Sequence, residues 1–296
     1  ASDHSNRNSS SFTLVGVPGL EPFSTCLGIL FCSAYVLAMA GNGAVLLALG
    51  LDKALRAPSH CFLGMLAAID MVMATSVIPK MLSVFWLDSA EISHMACFLQ
   101  MFLVHSSTAE ESGVLLAMAA DRYIAICHPL RYHSILSGRA IAWVGLAIVL
   151  RAVLPMVALT GLVTSLPYCG STVPHSYCEH MAVASLACAG AGPSGLYSVA
   201  WSSLTVGMDV ALIAVSYGAI LRAVLGQERR RKALGTCGCH LCVVLLFYIP
   251  GIVSIYSQWF SGTVSVPTQV LLADLYLTLP AVLNPLVYSL RSRQIR

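Results

Sequence analysis

The chain has 296 residues, of which 57% are hydrophobic and only 10% are charged, and its mean hydropathy is +0.80. Soluble domains carry about 25% charged residues, so 13 acidic and 16 basic residues are too few to cover a soluble protein of this size. The same composition excludes a disordered chain and a disulfide-dense miniprotein. A net charge of +3 is too small to indicate nucleic-acid binding. The composition therefore predicts a multi-span membrane protein.

Seven stretches of the chain are apolar over a length that can cross a bilayer, which takes about 20 helical residues. These predicted spans, numbered one to seven in chain order, are residues 26–50, 58–86, 95–126, 140–166, 195–225, 233–259 and 267–290. Strands of a membrane β-barrel would be about 10 residues long and would alternate apolar with polar residues, whereas these stretches are apolar on most faces. The sequence therefore predicts an all-α membrane protein with a bundle of seven transmembrane helices.

The distribution of basic residues predicts which way the chain crosses the membrane. Lys and Arg are concentrated in the segments after spans one, three, five and seven, whereas the loops at residues 87–94, 167–194 and 260–266 contain neither. Cytosolic loops are the ones enriched in Lys and Arg, so the N-terminus is expected outside the cell and the C-terminus in the cytosol. The predicted organisation is an extracellular tail at residues 1–25, a seven-helix domain at 26–290 and the start of a cytosolic tail at 291–296.

Cysteines and a sequon agree with this orientation. Four of the eleven cysteines lie at or within the predicted extracellular segments, namely Cys97, Cys169, Cys178 and Cys188. The outside of the cell is oxidising, so two disulfide bonds are expected there, and the spacing alone permits all three pairings. The tail contains Asn8-Ser9-Ser10, an N-glycosylation sequon. Asn8 is accordingly a predicted glycosylation site.

Ionisable side chains at membrane depth are unfavourable unless they are paired, and they usually mark a polar network or a functional site. Asp70 in span two and Glu111 in span three, with the amides of Asn42 and Asn284, form one such candidate cluster. Their oxygens suit a cation such as sodium, but the same groups also fit a hydrogen-bond network that only holds the helices together. Both interpretations stay open. Further ionisable residues within the spans are Lys80, Glu110, Arg151, Asp209 and Asp274.

Four motifs together resemble one family of membrane proteins. They are Gly41-Asn42 in span one, Asp70 in span two, Asp121-Arg122-Tyr123 at the end of span three, and Asn284-Pro285-Leu286-Val287-Tyr288 in span seven. This combination resembles the rhodopsin-like G-protein-coupled receptors. The resemblance narrows to the olfactory receptors, and to their fish-like class I branch, through further segments at residues 16–21, 79–82, 118–132, 216–217, 232–237 and 293–296.

The resemblance implies a receptor that couples to a heterotrimeric G protein of the stimulatory olfactory type and raises cAMP. It implies two disulfide bonds, Cys97–Cys178 and Cys169–Cys188. It also implies a switch at the cytosolic end, made of Asp121, Arg122, Tyr123, Tyr217, Lys232 and Tyr288. The expected location is the plasma membrane of olfactory sensory neuron cilia, with the basic segment 229–232 facing anionic lipid.

The resemblance also implies a small-molecule site in the outer half of the bundle. Such sites are concave and mostly apolar, with a few polar groups. The candidate residues are Met101, Phe102, Val104, His105 and Thr108 in span three, Leu204, Thr205 and Met208 in span five, Ile252, Ile255, Tyr256 and Trp259 in span six, and Asp274, Leu277 and Thr278 in span seven. His105 is the most informative of them, since an imidazole can both donate and accept a hydrogen bond near neutral pH. The alternative is a histidine that only packs helices together.

The expected ligand is a neutral or weakly polar volatile. A short carboxylic acid would need a cation at the mouth of the site, but the outer end of span six contains none and Asp274 would repel an anion. Lys80 could replace the missing cation only if it points inward. A receptor of the same fold for a body metabolite or a short-chain acid outside the nose stays open as an alternative.

Functions of other classes are disfavoured. No zinc-protease motif, nucleophile elbow or phosphate-binding glycine loop occurs, so an enzyme is not expected. Cys239, His240 and Cys242 would not converge on one point of a helix, and no cofactor other than a bound sodium ion is predicted. A small-solute transporter would usually show internal repeats, and none is evident. No nucleic-acid partner is expected.

Overall fold

The structure, a computed structural model, describes residues 11–51, 58–87, 89–225, 231–257 and 264–291. Seven long helices run through them: α1 (Ser24–Leu51), α2 (Pro58–Leu87), α3 (His94–Cys127), α5 (Gly138–Thr164), α7 (Gly192–Val224), α8 (Arg231–Ser257) and α9 (Val266–Arg291). The connecting segments contain two short helices, α4 (Tyr132–Ile135) and α6 (His180–Ala184), and three strands, β1 (Ser11–Leu14), β2 (Glu91–Ser93) and β3 (Thr172–Val173). The prediction of seven helical spans is confirmed, each to within a few residues.

Most of these helices are apolar enough to cross a membrane unaided. Six of them are long and apolar enough by themselves, and α3 reaches that standard together with the bent segment Pro129–Ile135, at an angle of 114°. The exception has a physical reason, because α3 is the central helix and contacts α2, α5, α7 and α8. Its carboxylates at Glu111 and Asp121 are buried, so neighbouring helices rather than lipid surround these polar groups.

A three-stranded sheet covers one end of the bundle, which we call the sheet end. Its strand order is β2-β1-β3, with β1 antiparallel to β2 and parallel to β3. Side chains alternate along β1, so Phe12 and Leu14 are fully buried. Residues 11–14 lie within the segment that was predicted to be a tail, so the sheet is a feature that sequence reasoning missed. The opposite end, where α3 finishes, is called the Arg122 end.

Two disulfide bonds organise the long segment between α5 and α7. Cys97–Cys178 ties it to the start of α3, and Cys169–Cys188 closes a loop within it. These are the two pairings that the family resemblance implies. Gln100 on α3 reinforces the first bond, because its Oε1 accepts from the backbone N–H of Cys178 at 2.9 Å while its Nε2 donates to the Ser76 carbonyl at 2.8 Å. The segment is thereby held over the bundle interior as a roof.

Replacing Cys178 by serine is expected to lower the free energy of unfolding by about 4 kcal/mol, because the bond closes a loop between residues 81 positions apart. Thermal denaturation of the purified protein and its surface level in cells measure the loss. Cys26→Ser is the control, since Cys26 is an exposed cysteine outside either disulfide. Equal losses in the two variants would show that the bond itself does not matter.

Candidate ligand-binding site

A cavity of about 150 Å³ lies beneath the roof, between α3, α5, α7, α8 and α9. An apolar cavity of this size can hold a benzene-sized molecule. Most of its wall is made of aliphatic, aromatic and small hydroxyl side chains: Val104, Thr108, Met156, Leu159, Ser198, Val199, Trp201, Ser202, Thr205, Val206, Phe247, Ile252, Ser254, Ile255, Tyr276 and Leu277. This composition suits a small, largely apolar molecule that forms a few hydrogen bonds.

A buried polar network forms one wall of the cavity. Arg151 on α5 makes a bidentate ion pair with Asp209 on α7, with Nη1–Oδ1 and Nη2–Oδ2 distances of 2.6 and 2.9 Å. Ser112 on α3 donates to Asp209 Oδ2 at 2.5 Å, and the Ser112 hydroxyl is 2.8 Å from the hydroxyl of Tyr248 on α8. The network therefore connects four helices, and three of its members, Ser112, Arg151 and Tyr248, line the cavity.

Sequence reasoning identified Arg151 and Asp209 as ionisable residues in the spans but did not pair them. The available signal was their opposite charge on consecutive spans, since intramembrane charges are usually paired. No feature of the sequence indicated that Ser112 belongs to this network. Gly113 provides room for the pair, because a Cβ at this position would lie 3.1 Å from Arg151 Nη2.

The roof supplies the other polar groups. Tyr177, Glu179 and Met181 line the cavity from above, and the Ser176 hydroxyl donates to the Asp274 carboxylate of α9. The Glu179 carboxylate also caps α6 by accepting from the Ala182 N–H at 2.7 Å. The roof is therefore attached to α9 as well as to α3.

Two roof histidines are buried and neutral at physiological pH. His175 is 5% and His180 0% exposed. Burial lowers the pKa of each to about 3, and the neighbouring His105 contributes to the shift at His180. Neither histidine therefore supplies a positive charge to the site near pH 7.

Seven of the fifteen predicted pocket residues line the cavity: Val104, His105, Thr108, Thr205, Ile252, Ile255 and Leu277. His105 is the one imidazole among them. Its Nε2 is shielded from solvent and has no hydrogen-bond partner within the described part of the chain. His105 therefore combines a contribution to the cavity wall with a buried, unpaired ring nitrogen.

Six other predicted pocket residues do not line this cavity. Leu204 and Met208 on α7 are 63% and 47% exposed on the outer surface of the bundle. Met101 and Phe102 on α3 belong to a separate apolar cluster around Phe12. Leu204 and Met208 lie at the wrong rotation about the α7 axis, because successive helical residues point about 100° apart. Met101 instead shares the face of α3 that carries Thr108 but lies nearer the sheet end than the cavity does. The remaining two are Asp274, which binds Ser176, and Thr278, which donates to the Asp274 carbonyl at 2.8 Å.

Tyr256 and Lys80 also differ from expectation. Tyr256 is 39% exposed, and its hydroxyl lies 3.0 Å from that of Ser203 rather than at the cavity. Lys80 does not point inward, because its Nζ donates to the carbonyls of Ser89 and Glu91 at 2.7 and 2.6 Å. The cation that a carboxylic-acid ligand would need is therefore not supplied by Lys80. Trp259, also predicted for the pocket, lies outside the described residues.

The Asp70–Glu111 cluster exists and is organised by an amide. Asn284 Nδ2 donates to Asp70 Oδ2 at 3.0 Å and lies 3.4 Å from Glu111 Oε1. Asn42 is not part of it, because its amide donates to the carbonyls of Ala38 and Ala281. The described residues contain no group of three or more His, Cys, Asp or Glu side chains arranged to hold a metal ion.

The predicted switch residues gather at the Arg122 end. Asp121 holds Arg122 through an Oδ2–Nη2 ion pair of 3.3 Å and also accepts from the Tyr132 hydroxyl at 2.7 Å. Tyr217 on α7 bonds to His240 Nδ1 on α8 at 2.7 Å. In this arrangement Arg122 is held by its own helix.

Three further residues were predicted for the switch: Tyr123, Tyr288 and Lys232. Tyr123 lies 3.4 Å from His128 Nε2, and the Tyr288 hydroxyl lies 3.9 Å from the Met118 sulfur. Lys232 falls in the first turn of α8, but its side chain is outside the described structure. Asn8, the predicted glycosylation site, lies entirely outside the described residues.

These features define a class of protein: a membrane receptor with seven helices, a small-molecule cavity under a disulfide-tied roof and an acid–arginine pair at the other end. A sequence profile of the olfactory receptor family matches residues 31–296. The chain is 48% identical to human olfactory receptor 52I2 over 301 residues, which cover all of this chain and 86% of that receptor. It is 48% identical to human olfactory receptor 52I1 over 300 residues, covering all of this chain and 93% of the relative. For human olfactory receptor 52P1 the identity is 42% over 298 residues, 99% of this chain and 93% of the relative.

The chain belongs to the olfactory receptor family, and its similarity to the 52 group fits class I. Members of this family are G-protein-coupled receptors, so the protein is a multi-pass plasma-membrane receptor and not an enzyme. Family membership implies an odorant ligand and coupling to a G protein.

Proposed function

We propose that this receptor detects a neutral or weakly polar volatile in the cavity beneath the roof and couples to a stimulatory olfactory-type G protein that raises cAMP. The N-terminus and the sheet end would face outside, in the cilia of olfactory sensory neurons, with the C-terminus in the cytosol. The basic segment 229–232, of which the first two residues lie outside the described part of the chain, would face anionic lipid. The observation that carries the proposal is the largely apolar cavity beneath the roof, to whose wall His105 contributes.

The charges around the cavity support a neutral ligand over an acid. Arg151 is the one cationic side chain that lines the cavity in the described structure, and the carboxylate of Asp209 already binds it with two short contacts. Glu179 adds a negative group to the wall. A carboxylate ligand would lose its hydration in such a cavity without gaining a free cation.

A path from ligand to G protein follows from the position of α8. Tyr248 contributes to the cavity wall and also contacts Ser112, so a ligand that displaces its hydroxyl would alter the packing of α8 against α3. His240, about 12 Å further towards the Arg122 end, links the same helix to Tyr217. A ligand shifts such an equilibrium only by binding the two arrangements with different affinities. Movement of α8 away from α3 would open space beside Arg122 for a G-protein helix.

A sodium ion between Asp70 and Glu111 is a further part of the proposal. The two buried carboxyl groups share one amide donor, and when both are ionised their charge exceeds what that amide can neutralise. One monovalent cation would compensate that charge and favour the inactive packing of α2, α3 and α9.

His105→Ala tests the ligand site. Loss of one ligand hydrogen bond is expected to shift the agonist concentration–response curve about tenfold to higher concentration, at an unchanged surface level. The measurement is a cAMP reporter assay with an agonist found by screening volatiles and short acids. Met208→Ala is the control, because Met208 was also a predicted pocket residue but is exposed on the outside. Identical curves for His105→Ala and the wild type would remove this site from the proposal, and a carboxylic acid as the strongest agonist would contradict the ligand class.

A further inference from the structure

An open groove runs between α2 and α3 on the outer surface of the bundle, next to the sheet end. It has a volume of about 440 Å³ and shares no lining residue with the cavity beneath the roof. Its α3 side is formed by Ala96, Leu99 and Leu103, which repeat every three or four residues and so lie on one face of the helix. Leu99 is 58% exposed. This face of α3 is therefore turned towards the surrounding membrane.

Lys80 on α2 supplies a cation at the polar end of the groove. Its Nζ donates to the carbonyls of Ser89 and Glu91 at 2.7 and 2.6 Å, but an ammonium group has three donors. Within the described part of the chain, no carboxylate oxygen lies close enough to Lys80 to form an ion pair. The lysine therefore keeps its charge and one donor for a ligand in the groove.

The depth of Lys80 matches the boundary between lipid tails and headgroups. The 30 residues of α2 extend over about 45 Å, whereas the hydrocarbon core of a bilayer is about 30 Å thick. A centred α2 therefore extends about 7 Å beyond the core at each end. Lys80 precedes Leu87, the last residue of the helix, by about 10 Å along the axis. Its long side chain then carries the ammonium group from the edge of the core into the headgroup region.

We propose that this groove binds one phospholipid with a zwitterionic headgroup, phosphatidylcholine being the representative, whose phosphate contacts Lys80. Ammonium groups bind phosphate through charge-assisted hydrogen bonds. Glu91 lines the same groove and is exposed, so a negative group stands beside the lysine to attract the choline and to repel a headgroup of net negative charge. One acyl chain packs along Ala96, Leu99 and Leu103.

The position of the lipid connects it to the roof. Ser76 and Gln100 also line the groove, and Gln100 joins the Ser76 carbonyl of α2 to the backbone N–H of Cys178 in the roof. A bound lipid covers these hydrogen bonds from the membrane side and excludes water from them. The lipid therefore stabilises the junction of α2, α3 and the roof.

The test uses the purified full-length receptor in detergent without an agonist, so its result does not depend on the proposed function. A phosphatidylcholine with a photoreactive diazirine on one acyl chain is titrated, and labelled peptides are identified by mass spectrometry. Labelling of residues 95–103 is expected to saturate, and unlabelled phosphatidylcholine should compete better than phosphatidylglycerol or cholesterol. Lys80→Gln should raise the half-saturating concentration about fivefold, because a cation at the membrane surface is lost. Lys80→Arg keeps the charge and should label like the wild type.

Two further variants separate lipid binding from a loosened loop. Leu99→Trp fills the apolar part of the groove without touching the bonds of Lys80 and should also weaken saturable labelling. Leu154→Trp is its matched control, because Leu154 is 62% exposed on α5, away from the groove, and should leave labelling of residues 95–103 unchanged. If Lys80→Gln does not fold, the Leu99→Trp variant and the lipid competition decide. Labelling that does not saturate, or that is equal in all variants, would overturn the proposal. Stronger competition by phosphatidylglycerol or by cholesterol would overturn the zwitterionic assignment and give the groove to an anionic lipid or a sterol.

Discussion

Arg122→Ala is expected to abolish G-protein signalling, reducing agonist-stimulated cAMP to background, while agonist binding and surface level remain close to those of the wild type. The structure holds Arg122 beside Asp121 at the end of α3, next to the space that movement of α8 would open. A guanidinium released there can bind backbone carbonyls or a carboxylate of a partner, and alanine has no group that replaces it. The cavity lies at the other end of the bundle, so ligand contacts are preserved.

A cAMP reporter, surface labelling and binding of the agonist from the volatile screen measure the three quantities separately. Arg131→Ala is the matched control, because it removes an exposed arginine from the adjacent segment and should keep the response. Asp121→Asn should act in the opposite direction and raise basal cAMP, since it weakens the ion pair to Arg122 and the hydrogen bond from Tyr132. A full agonist response from Arg122→Ala would contradict the switch assignment.

Breaking the Arg151–Asp209 pair is expected to lower both stability and signalling. Asp209 is fully buried, and the Arg151 side chain is 23% exposed. Arg151→Met leaves the Asp209 carboxylate without its cation, and Asp209→Leu leaves the guanidinium unpaired. Each single change should reduce the free energy of unfolding by about 3 kcal/mol or more. The thermal unfolding midpoint and the surface level measure it.

The double variant Arg151→Met/Asp209→Leu distinguishes the charge pair from general packing. With both charges removed, no buried ion remains unpaired, so most of the lost stability should return. Signalling should nevertheless stay impaired, because Ser112 loses its acceptor and Tyr248 loses the link to α7. A double variant as unstable as the sum of the two singles would show that the pair is not a coupled unit. Full signalling by the double variant would remove the network from the activation path.

The spans and the pocket residues differ in how well sequence predicts them. Hydropathy is a local property of the chain, so the spans were located to within a few residues. Pocket positions depend instead on the rotation of each helix, and helices that are apolar on most faces contain little information about which face turns inward. Thr205 lines the cavity whereas Leu204 and Met208 on the same helix do not, although all three satisfied the same sequence criteria.

The order of apolar, charged and motif residues along the chain was by itself enough to determine that this is a seven-helix membrane receptor of the olfactory type. The structure contains both disulfide pairings that the family resemblance implied. Only the tertiary structure decided that Arg151 binds Asp209, 58 positions away, that Lys80 binds loop carbonyls, and that residues 11–14 form a strand over the roof. These features depend on distances between remote residues, which follow from helix rotation and loop path rather than from local composition.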